Sequence, residues 1–341
     1  MAEKRVVYFD FLNIAACLCV IGMHCNGIVH RFELIPAWYV SLVVEVLGYW
    51  AVPGFLMLSG ATMMNYRSRY DTRTFICHRL VKIGIPLIIW TTLFYLWKRY
   101  TGSITWTGWR AFLSMLLNFK VENVYWFFAP LITVYLSLPV LSCFADNRPM
   151  LRYLLLGGIL TISVYPFACN LLGLTCNTSF LFPVMGGYLI YPVLGYYLHT
   201  SELKRWQKCL LYGAGILASI VRYGHTAWSL LEFGTVNKVT WGYTNMPALL
   251  QAASIFVLAR DICDGAFFRK EKVIRWMRTL SGGSFGVYLI HVFVMNQLQQ
   301  RLGVDIYCYQ WLLIAPFAVY LVSLACVQVI RKIPGGKYVF P

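Results

Sequence analysis

The chain has 341 residues, of which 59% are hydrophobic and 12% are charged. Soluble domains carry about 25% charged residues, so this composition excludes an ordinary soluble domain and predicts a protein that lies mostly within a membrane. The net charge of +16 suggests nucleic-acid binding, but the Lys and Arg residues lie in short connections and at the ends of apolar runs. We therefore expect no nucleic-acid partner and expect these cations to meet membrane lipids.

Apolar runs long enough for a membrane-spanning helix, about 20 residues, recur along the chain. We predict an all-α, polytopic integral membrane helix bundle with about ten transmembrane helices. It forms a single domain over residues 1–341 and has no soluble domain. The predicted spans are 6–28, 38–64, 76–97, 124–145, 150–169, 181–199, 207–223, 244–262, 282–300 and 309–331.

The positive charges predict how these spans are oriented. If the N-terminus is cytoplasmic, 21 Lys and Arg residues fall on the inner side and 8 on the outer side. The positive-inside rule then favours a multi-pass protein of the cell membrane with both termini in the cytoplasm. The longest outer connection, residues 98–123, has apolar residues at helical spacing and predicts an amphipathic helix at the interface. Cys169 and Cys176 flank another outer loop and would pair only in an oxidising compartment.

The first span carries polar residues near one helical face, among them Asp10, Asn13 and His24. An ionisable residue inside a membrane span is a functional candidate because burying it without a partner is costly. The alternative is that His24 bonds to a neighbouring helix and only holds the bundle together. Glu45 lies at a similar depth in the second span, where its carboxylate would orient the His24 imidazole. Alternatively, the two side chains have different partners.

Arg79 and Lys82 stand at the start of the third span, three residues apart and therefore on one helical face. Two fixed cations at a helix entrance suit a phosphate-bearing ligand from the cytoplasm. The alternative is an anchor that binds lipid phosphate. In the ninth span, Tyr288 and His291 share a face, where they either line a substrate path or pack the bundle.

These residues fall into a known pattern. The segment 9–13 with Ala16, Val20 and His24 resembles the first helix of the membrane acyltransferase-3 family, the O-acetyltransferases of cell-surface sugars. Four further segments resemble later helices of that family in the same order. They are the segment 51–60, Arg79 and Lys82 followed by Pro86, the segment 125–127 around Trp126 with Tyr135 and Pro139, and the segment 284–291.

The resemblance implies transfer of an acyl group from cytoplasmic acyl-CoA, usually acetyl-CoA, to a hydroxyl of an extracytoplasmic or lipid-linked glycan. It implies that His24 is essential and that Arg79 and Lys82 serve the donor. Many members carry Arg or Lys where this chain has Asn13, and a second Arg where it has Lys82. Lys82 keeps the positive charge but loses the bidentate geometry of arginine.

We therefore expect a membrane O-acyltransferase in which His24 is the general base and Glu45 orients it. The substrate-binding candidates are Asp10, Asn13, Arg79, Lys82, Trp126, Tyr288 and His291. Acyl-CoA is a co-substrate, and we expect no bound cofactor and no metal. The alternative is a transporter or flippase for a lipid-linked sugar or small metabolite. A third possibility is a structural partner in an envelope assembly, which would not depend on His24.

Overall fold

The protein is described by a computed structural model covering residues 6–341, and within that range it is helical and contains no strand. The predicted all-α class is confirmed. The helices are α1 (Val7–Cys25), α2 (Pro36–Gly48), α3 (Ala51–Met63), α4 (Thr72–Tyr100), α5 (Trp109–Leu117), α6 (Phe128–Leu141), α7 (Arg148–Gly158), α8 (Tyr165–Leu171), α9 (Ile190–Thr200), α10 (Arg205–Phe233), α11 (Met246–Cys263), α12 (Glu271–Leu302), α13 (Tyr309–Ile330) and α14 (Gly336–Val339).

Several helical segments are long and apolar enough to cross a membrane, which supports the predicted polytopic membrane protein. Over residues 6–341 there are seven of them: Val7–Cys25, Pro36–Ser68, Thr72–Tyr100, Asn123–Phe144, Arg148–Leu171, Lys238–Cys263 and Tyr309–Ile330. Two further predicted spans fall within α10 and α12, which are 29 and 32 residues long but more polar. The predicted span 181–199 is less regular, because its α-helix, α9, begins only at Ile190.

The second predicted span, 38–64, is two helices rather than one. The helix α2 ends at Gly48, and α3 begins at Ala51. Pro53 lies in the first turn of α3, where a missing backbone N–H costs no helical hydrogen bond. The break between α2 and α3 therefore places Pro53 where it disrupts no helical hydrogen bond. The basic connection around residues 267–278 is also mostly helical, because α12 begins at Glu271.

The helix α1 lies at the centre of the bundle, in contact with α2, α3, α11, α12 and α13. Leu12 and Ala16 on this helix have no exposed surface, so α1 is surrounded on several sides. Its polar residues consequently face other helices rather than lipid. His24 is the residue before the last one of α1, so its side chain also faces neighbouring helices.

The helices α3 and α9 cross at very short range, and two glycines permit the crossing. A Cβ atom on Gly60 would lie 1.8 Å from the carbonyl oxygen of Pro192, and one on Gly195 would lie 2.1 Å from the carbonyl oxygen of Met57. No side chain fits at either position, so the two backbones touch. Small residues at helix crossings are the usual means of close packing in membranes. The crossing holds α3, which lines the site described below.

The connection between α4 and α6 contains the predicted surface helix. This helix, α5, has no buried residue, and Trp109 is 64% exposed. The connection is tied back to α4 by an ion pair of 3.0 Å between Lys98 and Glu122. The predicted helix within residues 98–123 is thus confirmed, and it lies on the surface of the bundle.

Candidate active site

A cavity of about 580 Å³ opens among α1, α3, α4 and α12. It brings together residues that lie far apart in the sequence, from the first helix to the twelfth. Seven of the nine predicted site residues line it: Asp10, Asn13, His24, Arg79, Lys82, Trp126 and Tyr288. The sequence-based candidates therefore share one space, and only His291 and Glu45 lie outside the lining.

His291 lies directly behind His24. The Nδ1 atom of His24 is 2.8 Å from Nε2 of His291, and the two rings stack with their centroids 5.0 Å apart. His291 has no exposed surface, whereas His24 is half-buried and faces the cavity. The second intramembrane imidazole is therefore the partner of the first.

The hydrogen bonds fix the protonation pattern of this pair. The Nδ1 atom of His291 lies 2.7 Å from the carbonyl oxygen of Tyr288, and a carbonyl oxygen only accepts, so Nδ1 of His291 carries the hydrogen. In neutral His291, Nε2 is then the acceptor, and Nδ1 of His24 must donate to it. Neutral His24 is left with its basic lone pair on Nε2. This is the same use of a second group to hold an imidazole in one tautomer that serine hydrolases make of a carboxylate.

The opposite end of the cavity is cationic. Arg79 and Lys82 both line it, as the spacing on one face of α4 predicts. The guanidinium of Arg79 lies between aromatic rings, with Cζ 5.7 Å from the centroid of Phe75 and 6.0 Å from that of Tyr135. Its Nε atom is buried and, among residues 6–341, has no hydrogen-bond partner. A donor in this state is available to an anionic ligand.

Asp10 and Asn13 line the cavity from the first half of α1. The amide of Asn13 donates to the hydroxyl of Ser281 on α12, at 3.2 Å. Asn13, which is uncharged, therefore links α1 to α12 in the cavity wall. Asp10 is 4% exposed.

Trp126 and Tyr288 form part of the wall at the His24 end. The hydroxyl of Tyr288 donates to the carbonyl of Val124 at 2.5 Å, so this hydroxyl holds the turn that carries Trp126. Trp126 is 36% exposed, and its ring stacks on Tyr243, with centroids 5.5 Å apart. Trp126 is thus the accessible aromatic surface and Tyr288 is its support.

The prediction that Glu45 orients His24 is wrong. Glu45 lies on α2 and is buried, but its carboxylate interacts with Asn26 and with Arg222 of α10. The hydrogen bond to Nδ1 of His24 is made by His291 instead. The similar depth predicted from the sequence did not bring Glu45 and His24 together, because each side chain has a different neighbour, Arg222 for Glu45 and His291 for His24.

Sequence reasoning missed Tyr243 and Arg69, which also line the cavity. Tyr135 lines it too; this residue was part of the family resemblance but was given no role in the site. Tyr243 lies in the connection before α11, where an aromatic residue is typical of an ordinary interfacial anchor. Nothing in the local sequence separates Tyr243 and Arg69 from the many other aromatic and basic residues near span ends.

The remaining candidates for chemistry are cysteines. All eleven are free thiols, including Cys169 and Cys176, which interact with each other. Across residues 6–341 no group of three or more His, Cys, Asp or Glu side chains is arranged to hold a metal ion.

Comparison with known proteins identifies a family for the chain as a whole. No curated protein and no solved structure shows significant similarity to the chain. A family model described as an acyltransferase domain, of the acyltransferase-3 type, matches residues 6–331. That range includes both histidines and both cations of the cavity. The chain belongs to this family of membrane proteins, and the protein is an acyltransferase.

Proposed function

We propose that the protein is a membrane O-acyltransferase that moves an acyl group, typically acetyl, from cytoplasmic acyl-CoA to a hydroxyl of an extracytoplasmic or lipid-linked glycan. One observation carries the proposal. A single cavity connects two fixed cations, Arg79 and Lys82, with the tautomer-fixed imidazole of His24. A donor that has phosphates at one end and a reactive thioester at the other matches that arrangement.

The cations suit the donor for two reasons. Coenzyme A carries a pyrophosphate and a further phosphate, and charge-assisted hydrogen bonds from guanidinium and ammonium groups are the strong ones. The unsatisfied Nε of Arg79 adds a donor whose burial is otherwise costly. Asp10, at the same end as these cations, and Asn13 would contact the donor where its long arm enters the bundle.

The length of the cavity also suits the donor. Fourteen residues of helix separate Asp10 from His24, about 21 Å at 1.5 Å per residue. The pantetheine arm would cross this distance and bring the thioester to the His24 end. In the proposed topology both termini are cytoplasmic, so the phosphates stay on the inner side and the acyl group reaches the outer half of the membrane.

Chemistry at the His24 end follows from the free lone pair on Nε2. This nitrogen takes the proton from the acceptor hydroxyl as its oxygen attacks the thioester carbonyl. The new carbon–oxygen bond forms, the carbon–sulfur bond breaks, and the proton passes from His24 to the departing thiolate. His291 keeps accepting from Nδ1 throughout, so the positive charge that appears on His24 is met by a fixed acceptor.

The test uses purified protein in lipid nanodiscs, radiolabelled acetyl-CoA and a panel of glycan acceptors. The expected result is an O-acetylated glycan, with equimolar coenzyme A released, and a loss of about 10²–10⁴-fold in His24→Ala. Near-normal turnover by folded His24→Ala contradicts the role of His24. Movement of a sugar across the bilayer without consumption of acetyl-CoA points to a transporter and contradicts the proposal.

A further inference from the structure

A row of four stacked groups runs from the interior of the bundle to the cavity. The guanidinium carbon of Arg222 lies 3.3 Å from the ring centroid of Tyr49. The rings of Tyr49 and Tyr243 stack with centroids 4.2 Å apart and an interplanar angle of 19°. Tyr243 in turn stacks on Trp126 at 5.5 Å, also at 19°. We call Arg222, Tyr49, Tyr243 and Trp126 the stacked row.

The two outer members of the stacked row line the cavity that holds His24, and the two inner members do not. Tyr243 lies between Tyr49 and Trp126, so its two faces are covered, whereas Trp126 ends the row and is 36% exposed. The backbone of Tyr243 is held as well, because the hydroxyl of the fully buried Tyr191 donates to its carbonyl oxygen. Trp126 is therefore the accessible ring of the row, and Tyr243 is the fixed ring behind it.

Arg222, at the inner end of the stacked row, carries a charge that costs free energy to bury. Arg222 is 2% exposed and interacts with the carboxylate of Glu45, which is 7% exposed. Both Nη atoms of Arg222 and Oε2 of Glu45 lack hydrogen-bond partners within residues 6–341. Two buried, oppositely charged side chains with unsatisfied polar atoms are a poor source of stability, and intramembrane charges of this kind are functional candidates.

We infer that the stacked row is the acceptor subsite, with Trp126, its accessible end, as the surface on which a sugar ring lies and Tyr243 as the ring that supports Trp126. This inference rests on the proposed function. A pyranose ring has a flat face of C–H groups, which packs against aromatic rings, while its hydroxyls remain free to point toward His24. Arg222 and Glu45 do not touch the sugar. They are positioning residues that set the plane of Tyr49 and, through Tyr49 and Tyr243, the plane of Trp126.

The first test compares Trp126→Ala with Trp126→Phe in steady-state kinetics, with donor and acceptor titrated separately. Loss of a stacking partner is worth roughly tenfold in affinity, so Trp126→Ala should raise the acceptor KM about tenfold and leave the donor KM unchanged. Trp126→Phe keeps an aromatic face and should restore most of the acceptor affinity. An unchanged acceptor KM in Trp126→Ala, or equal changes in both constants, overturns the inference.

The second test separates positioning from folding. Arg222→Met alone leaves Glu45 buried without its cation, and breaking a buried pair from one side is destabilising. The double variant Arg222→Met with Glu45→Leu removes both charges and should recover thermal stability, yet keep an acceptor KM raised about threefold or more. The control is Thr91→Val on α4, which removes a buried hydroxyl that also lacks a hydrogen-bond partner within residues 6–341. A double variant with a wild-type acceptor KM contradicts the positioning role.

The failure of this inference is distinguishable from failure of the proposed function. If the wild-type protein neither consumes acetyl-CoA nor binds any glycan of the panel, the proposed function fails. If the wild-type protein transfers acetyl groups and the stacked-row variants keep its acceptor KM, only the inference fails.

Discussion

Replacement of His291 by alanine probes the most specific feature of the site. His291 accepts the hydrogen bond from Nδ1 of His24 and has no exposed surface. Without it, the productive tautomer of His24 keeps a buried N–H with no acceptor, which costs about 1–3 kcal/mol. That penalty lowers the population of the reactive state roughly 5- to 150-fold. We expect kcat to fall by that factor while the KM for acetyl-CoA stays within about twofold, because His291 is remote from the cations.

The assay is acetyl transfer by purified variants whose folding has been checked by thermal unfolding. His291→Gln places an amide oxygen near the former Nε2 position and should recover part of the lost kcat. His225→Ala is the control, because His225 is a half-buried histidine on α10 that does not line the cavity. A kcat within about twofold of wild type in folded His291→Ala would refute the argument that His291 fixes the tautomer.

Three further predictions concern the binding of the donor, the role of Glu45 and the orientation of the protein in the membrane. Arg79→Lys keeps the charge and loses the planar fork, so the donor KM should rise about threefold to tenfold. The control is Arg73→Lys at an exposed position of the same helix. A change in the acceptor KM alone contradicts the placement of Arg79 at the donor end of the cavity. Glu45→Gln should lower thermal stability but keep kcat within about threefold of wild type; a loss as large as that of His24→Ala would return Glu45 to catalysis. A cysteine at exposed Ser103 should react with an impermeant reagent from outside, and one at exposed Glu202 only after permeabilisation; the reverse pattern would overturn the proposed orientation.

Most of the site could be predicted because local sequence patterns carry it. The spacing of Arg79 and Lys82 places both on one helical face whatever the rest of the fold does, and both line the cavity. His24 stands out because a membrane interior is a costly place for an imidazole. Trp126 follows from the family resemblance and Tyr288 from the helical face that it shares with His291, and the structure brings both to the same wall.

The rest could not be predicted, because it depends on which helices are neighbours. Glu45 has the right chemistry and depth to orient His24, but its side chain meets Arg222, 177 positions later in the numbering. Depth along the membrane normal is readable from hydropathy, whereas rotation about the helix axis and the choice of neighbour are not. Tyr243 escaped notice for the same reason, since its importance comes only from the rings stacked on either side of it.

The sequence by itself determined that this chain is a helical membrane protein with an ionisable residue in its first span and two cations in its third. Those features follow from local composition and from the period of the helix, which need no knowledge of distant contacts. Only the tertiary structure decided that His24 is paired with His291, 267 residues away along the chain. Side chains so far apart in sequence meet only because α1 packs against α12, and that packing is settled by the shape of every helix in the bundle at once.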